Sequence, residues 1–280
     1  MDLELKNLFF SYNPDLSTDN YTLKNISLSL VRGEFTVISG RSGSGKTTLA
    51  QIIAGILKPT SGALFYNSIS AANTSFKALK KNIGMIFQTP EEQLFERTVF
   101  EDVTFVLRRD AILTDDEISE KAKITLKLVG LNYDEYKDRL SFNLSSGEKR
   151  KAATACILIN SPSLIILDEP TVGLDHATKK SLIKTIKTLK DEGKTIICIT
   201  HDLNSFLDIS DKIVILKNGE IIFSGDKTTI FDDFEIINNN VKLSVTFSLL
   251  HELKKIDNCF KIDNIYSRDD AVSYIKSLID

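Results

Sequence analysis

No apolar run in the 280 residues approaches the roughly 20 that a membrane-spanning helix requires. Runs such as Leu164-Ile165-Ile166-Leu167 and Ile196-Ile197-Cys198-Ile199 are short, so a helical span within these residues is excluded. An excess of positive charge is also missing. Lys and Arg number 35 against 38 Asp and Glu, a net charge of -3, and nothing in that balance points to nucleic acid. Cysteines are few and scattered: Cys156, Cys198 and Cys259 have neither metal nor disulfide spacing. They read as buried reduced thiols, which fits a cytosolic compartment. The start, Met1-Asp2-Leu3-Glu4, is acidic and has no apolar core segment, so no secretory signal is expected. Internal repeats and long low-complexity stretches are absent as well. The ordinary remainder, 42% hydrophobic and 26% charged, suits one large globular domain, or one domain with an appendage.

Periodicity sorts that remainder. Leu3, Leu5 and Leu8, then Leu23, Ile26, Leu28 and Leu30, alternate as half-buried strands do. Phe35 to Ile38, Ile83 to Phe87, Leu164 to Leu167, Thr195 to Thr200 and Ile213 to Leu216 read as buried strands. Helical patterns run from Lys46 to Leu57, from Lys179 to Glu192, and through Ile118, Ala122, Leu126 and Val129 to a stop at Gly130. From about Pro90 to Ser161 helical spacing dominates, and the tail after Gly225 is polar and partly helical. Strand-helix alternation of this kind predicts an α/β fold with a mostly parallel sheet covered by helices.

Gly40-Arg41-Ser42-Gly43-Ser44-Gly45-Lys46-Thr47 fits G-x-x-x-x-G-K-[ST] between a predicted strand and a predicted helix. In that context backbone amides and the helix N-terminus turn toward phosphate. Lys46 is expected to reach the β- and γ-phosphates and Thr47 to ligate Mg²⁺. Gly40, Ser42, Gly43, Ser44, Gly45, Lys46, Thr47 and Thr48 are the candidates for holding the nucleotide, ATP. A second buried strand ends in Asp168-Glu169. Asp168 is the candidate for holding Mg²⁺ through its water shell, and Glu169 for polarising the attacking water.

Leu144-Ser145-Ser146-Gly147-Glu148, twenty residues or so before that acid pair, resembles the LSGGQ signature of ABC ATPases. Gln88 after Phe87 resembles the Q-loop glutamine, Gly173-Leu174-Asp175 the D-loop, His201 the switch histidine, and Tyr12 the aromatic residue that stacks on adenine. Each mark alone has a structural explanation; their order over residues 3 to 225 is what is specific. The resemblance implies a P-loop NTPase fold of the ABC ATPase type: an ATPase domain over 1–225, a helical subdomain over about 89–162, and a small C-terminal extension over 226–280 with dimer contacts. It implies that Glu169, His201 and Gln88 are catalytic, and that Thr47, Gln88 and Asp168 hold Mg²⁺, partly through water. Ser145, Ser146, Gly147 and Glu148 would meet the nucleotide of a partner subunit. In the signature, Ser146 replaces a glycine and Glu148 a glutamine, a mild weakening of the partner's site by expectation.

The stretch Gln88 to Val99, with Gln93-Leu94-Phe95-Glu96, resembles energy-coupling factor ATPases, and the Pro14-to-Tyr21 loop looks more like the second of that system's paralogues. This likeness implies ATP-driven import of vitamins or transition-metal ions. The expected partners are a second ABC ATPase (a paralogue or another copy), a transmembrane T subunit and a substrate-binding S subunit, with no nucleic acid. The expected location is peripheral, on the cytoplasmic face of the cell membrane, with Pro90 to Phe95 lining the groove that receives the T subunit's coupling helices. Open alternatives are an ATPase of another ABC transporter class, a soluble non-transport ABC ATPase, or a non-hydrolysing regulatory subunit.

Overall fold

Alternation of apolar and polar residues makes the first strands, and short, mostly apolar runs make the central ones. The computed structural model describes residues 1–13, 21–73, 76–110, 112–230, 232–241, 243–256, 265 and 268–279. In chain order the strands and helices are β1 (Leu3–Phe10), β2 (Leu23–Leu30), β3 (Phe35–Ser39), α1 (Lys46–Ile53), β4 (Ser61–Tyr66), β5 (Ile69–Ser70), α2 (Phe76–Lys80), β6 (Ile83–Ile86), α3 (Val99–Asp110), α4 (Asp115–Leu128), α5 (Tyr133–Tyr136), α6 (Ser146–Leu158), β7 (Leu164–Asp168), α7 (His176–Asp191), β8 (Thr195–Ile199), β9 (Lys212–Lys217), β10 (Glu220–Asp226), α8 (Phe234–Asn240), α9 (Val245–Ile256) and α10 (Arg268–Ile279). Residues 14–20 of the loop that suggested the paralogue, and Cys259, lie outside the described residues.

The chain divides into two compact units. The first comprises Met1–Asp2, Val31–Gly33 and Phe65–Ile196. Its strands β6 and β7 pair in parallel, Ile83 with Leu164 through Ile86 with Leu167. All of β7 is buried, as a parallel strand covered on both faces must be. Between residues 90 and 158 every regular element is helical. Helix α4 starts on a capping box, Thr114 with Glu117, and buries Ile118, Ala122 and Leu126 along one stripe. Helices α3, α4 and α6 pack on one another.

The second unit comprises Leu3–Leu30, Glu34–Leu64 and Ile197–Asp280. Strand β3 pairs in parallel with β9, Thr36 with Lys212 through Ser39 with Ile215. Phe35 meets Phe206 edge to face at 6.2 Å, and both are buried. Strand β1 pairs antiparallel with β2, burying Leu3, Leu5, Leu8, Leu23, Ile26, Leu28 and Leu30. In the tail, α9 buries Phe247, Leu250 and His251, and the His251 ring stacks on Phe234 at 3.9 Å.

Two features depart from the sequence expectations. Beside the expected parallel pairs stand antiparallel hairpins that the reading did not include: β9 turns into β10 through Asn218-Gly219, and β4 into β5 through Asn67-Ser68. All four turn residues have positive φ, the geometry of the two-residue hairpin turns that Asn and Gly favour. The thiols also differ, since Cys198 is buried but Cys156 is only partly so. Desolvation, then the charge of Asp102, pushes the Cys156 thiol up to about 12, so it stays protonated.

Close packing in the first unit generates a stability prediction. A Cβ added to Gly84 in β6 would lie 2.7 Å from Ile157 Cγ2 and 3.0 Å from Pro162 Cγ. Proline cannot swing away, so Gly84→Ala should destabilise by about 1–3 kcal/mol. Chemical denaturation checks this; an unchanged midpoint and slope would show that the contact relaxes freely.

Candidate functional site

In the second unit, strand β3 ends at Ser39 and the chain turns through Gly40 to Gly45 into α1. Two glycines make the turn obligatory. A Cβ on Gly40 (φ 150°) would sit 2.1 Å from the Leu216 carbonyl oxygen, and one on Gly45 (φ 98°) would sit 2.7 Å from Leu23 Cδ2. Gly45 caps α1, whose first turn holds no acid, so the positive end of the helix dipole is left for an anion. Lys46 is 8% exposed, and its ammonium donates to the carbonyls of Gly40 and Arg41, both at 2.9 Å. Ser42, Gly43 and Thr47 are exposed, while Ser44 and Thr48 are buried. Tyr12 is 57% exposed, packs edge to face on Phe10 at 4.8 Å, and shares a 3.1 Å hydrogen bond with the Thr48 hydroxyl. The loop is thus braced beneath an exposed aromatic face. His201 follows Thr200, whose N–H donates to the Ile38 carbonyl (3.1 Å) and whose carbonyl accepts from Ser39 Oγ (2.6 Å). These bonds set the exposed His201 at the same strand ends from which the P-loop departs.

In the first unit, the parallel pairing of Ile86 with Leu167 makes Gln88 and the Asp168-Glu169 pair leave the same end of neighbouring strands. Asp168 is 4% exposed, at the last position of β7. Glu169 has φ 49°. Left-handed backbone at a non-glycine residue is costly, and such strain concentrates at functional sites. Gln88 is exposed. Asp175 of Gly173-Leu174-Asp175 caps α7, accepting from the N–H groups of Ala177 (2.8 Å) and Thr178 (3.0 Å).

The signature segment starts α6, with Ser145 as its cap and Ser146 and Gly147 in its first turn. Ser146 is exposed in ordinary helical backbone, and a Cβ on Gly147 would meet nothing within 4 Å. Ser146 therefore introduces no internal strain in place of glycine. Glu148 turns back to complete a capping box: Ser145 N–H and Oγ both donate to Glu148 Oε2 at 2.8 Å, and Glu148 N–H donates to Ser145 Oγ at 3.3 Å. Tyr136 Oη donates to Glu148 Oε1 at 2.7 Å, with Arg139 Nη1 at 3.5 Å from the same oxygen. The two helix N-termini therefore differ, because α6 carries its own carboxylate and α1 carries none. The S-x-x-E spacing of Ser145 and Glu148 is the sequence signal of this cap.

Sequence reasoning also passed over Arg150 and Asp102. Arg150 looks like part of a solvated Lys-Arg-Lys run, yet it stands four residues after Ser146 and so on the same helix face. Asp102 is buried, and its carboxylate accepts from the N–H groups of Phe95 and Glu96 and from Ser141 Oγ. Glu91 Oε2 lies 3.7 Å from Arg150 Nε.

Hydrogen bonds from Tyr136, then from Ser145, lower the Glu148 carboxyl from 4.5 to about 2. A depressed folded pKa contributes stability above the ordinary carboxylate range and loses it as pH falls through the folded value. The melting difference between the unaltered chain and Glu148→Gln should be largest near neutral pH and shrink between pH 4.5 and about 2. Thermal melts across that window test it; a gap that does not change with pH would refute an ionised cap.

A family model described as ABC transporter matches residues 23–172. The chain is 37% identical over 240 residues to the energy-coupling factor transporter ATP-binding protein EcfA2 of Clostridium acetobutylicum, covering 85% of this chain and 84% of that protein. Among solved structures it is similar to cbiO1 from Clostridium perfringens, described as part of the ABC transporter complex cbiONQ. The TM-score is 0.74 at 33% identity, with 90% of this chain and 98% of that chain covered. A dimeric ATP-binding cassette in a post-hydrolysis state bound to ADP and Pi aligns with TM-score 0.71 at 29% identity, covering 80% of this chain and 98% of that one. Taken with the P-loop, the signature helix and the acid-tipped strand β7, these likenesses establish that the chain belongs to the ABC transporter ATPases and is an ATP hydrolase coupled to transport.

Proposed function

We propose that this chain powers an importer of the energy-coupling factor type, for vitamins or transition-metal ions, as one of two ATPases beneath a transmembrane subunit. The observation that carries this reading is the likeness to cbiO1, part of a transporter complex, over 90% of the chain, together with the EcfA2 relative. A head-to-tail pairing with a second ATPase is supported by the dimeric cassette among the similar structures. Among the described residues no helix is long and apolar enough to cross a membrane, in keeping with a peripheral subunit on the cytoplasmic face that leaves substrate binding to a separate S subunit. In this reading residues 1–225 form the ATPase domain, about 89–162 its helical subdomain, and 226–280 an extension that contacts the partner ATPase.

The chemistry is phosphoryl transfer to water, assisted mainly by positioning and charge. Tyr12 stacks on adenine. The amides of Gly40 to Thr48 wrap the phosphates, and Lys46 exchanges its carbonyl partners for the β- and γ-phosphates. Thr47, Gln88 and Asp168 offer a hydroxyl, a carboxamide and a buried carboxylate, hard oxygen donors of the kind that suits Mg²⁺. When bound, Mg²⁺ neutralises charge on the β- and γ-phosphates. Glu169 accepts the proton of the attacking water, and His201 braces the γ-phosphate. Ser145, Ser146, Gly147 and Glu148 close over the partner's nucleotide.

Two substitutions test the assignment in the complex purified from membranes and reconstituted into vesicles. Lys46→Ala should abolish hydrolysis and uptake while the protein still folds. Glu169→Gln should lower hydrolysis by about 100-fold or more, the scale of a lost general base, yet still bind ATP. Near-normal turnover in either variant would place the hydrolytic site elsewhere.

A further inference from the structure

One guanidinium in the first unit holds three segments that the preceding scheme treats separately. Arg150 lies in α6, one turn beyond Ser146, with its side chain 11% exposed. Its Nη1 donates to the Val172 carbonyl at 2.7 Å, its Nη2 donates to the Gln88 carbonyl, and its Nε lies 3.7 Å from Glu91 Oε2. Val172 directly precedes Gly173-Leu174-Asp175, and Gln88 is the proposed Mg²⁺ ligand. Gln88, Ser146, Gly147, Arg150, Gly173 and Asp175 all border one cleft.

A charge this poorly exposed requires a counter-charge, and Glu91 supplies it. The two carbonyls require donors that diverge from one planar group. Arginine presents such a fork, with Nη1 and Nη2 each meeting a different carbonyl, whereas a lysine would have to serve both from one nitrogen at the end of a differently shaped stem. Besides the fork, the pairing of β6 with β7 connects the backbone that carries Gln88 with the backbone that leads to Asp175.

We propose that Arg150 is a positioning residue for ATP hydrolysis, tying the Gln88 backbone, the Glu91 carboxylate and the Val172 backbone to the signature helix so that these segments move as one. It acts through Gln88 and through the Asp175 segment rather than by touching ATP. A displacement of α6 is then transmitted to the Gln88 carboxamide and to Asp175 together. The inference rests on the proposed role of Gln88, and it adds a mechanical link that the P-loop assignment does not contain.

The test compares the unaltered complex with Arg150→Lys and Lys46→Ala. ATP turnover is measured against ATP and against Mg²⁺, and amide exchange is followed over residues 87–94 and 171–175. In Arg150→Lys, kcat should fall about tenfold while KM for ATP stays within about twofold, because the lost interaction acts after binding. Half-saturation by Mg²⁺ should move to higher concentration, and exchange should rise in both segments together. A kcat within about twofold of the unaltered complex, or exchange rising in one segment alone, would overturn the proposal. If Arg150→Lys does not fold, the unaltered protein decides: amides in the two segments should share one opening transition as urea is raised, and separate transitions would refute the tie. Active Lys46→Ala would instead sink the hydrolytic assignment itself, while inactive Lys46→Ala beside a normal Arg150→Lys would sink only the role of Arg150.

Discussion

Strand polarity is the constraint on which the remaining chemistry depends. A buried strand can leave its polar residues only at its ends, and parallel pairing places like ends side by side. In the first unit the register of Ile83 to Ile86 against Leu164 to Leu167 makes Gln88 and the Asp168-Glu169 pair emerge together. In the second, the bonds joining Ile38 and Ser39 to Thr200 bring the start of the P-loop and His201 to one edge. A slip of a single residue would turn each strand over and send its terminal acid or glycine to the wrong face. Burial of β3, β7 and β8 on both faces opposes that slip.

Helix N-termini supply the second layer of chemistry, and this chain uses them in opposite ways. At α1 the glycine cap and the acid-free first turn leave amide hydrogens and dipole for phosphate. At α6 the Glu148 carboxylate already occupies the Ser145 amide and hydroxyl and is itself held by Tyr136. The positive potential of the α6 end is thus partly answered from within, and a nucleotide bound there, as proposed, would meet that carboxylate. The glutamate in place of glutamine thus acts through a local hydrogen-bond network rather than through a bare change of charge. The serine in place of glycine, lying exposed at the first helical position, disturbs nothing inside the chain.

The helical part of the first unit is held by buried charge as well as by apolar packing. Asp102 gathers two backbone amides and the Ser141 hydroxyl, and Arg150 gathers two carbonyls and a carboxylate. Asp102 is buried and the Arg150 side chain is 11% exposed, and the cost of taking each from water is offset by several directional partners. Such groups specify where loops sit more sharply than apolar contacts can, because an acceptor in the wrong place leaves the ion unpaired.

Much of this was legible in the amino-acid sequence, and the reason is local. Gly40 to Thr47 is a contiguous motif whose glycines and lysine act within one turn of chain, so spacing alone reveals it. The period-two strands β1 and β2 and the apolar runs of β3, β7 and β8 follow from side-chain pattern, since burial is decided residue by residue along a strand. The Asn218-Gly219 hairpin and the Ser145–Glu148 cap are likewise short-range signals written in contiguous residues. Tertiary structure alone decided the partners of Arg150, whose acceptors lie 62 and 22 residues away, and those of Asp102. A guanidinium or carboxylate has no sequence period that announces its partner: a surface charge and a buried tie are written with the same residue, and only the path of the folded backbone brings the carbonyls of Gln88 and Val172 to one fork.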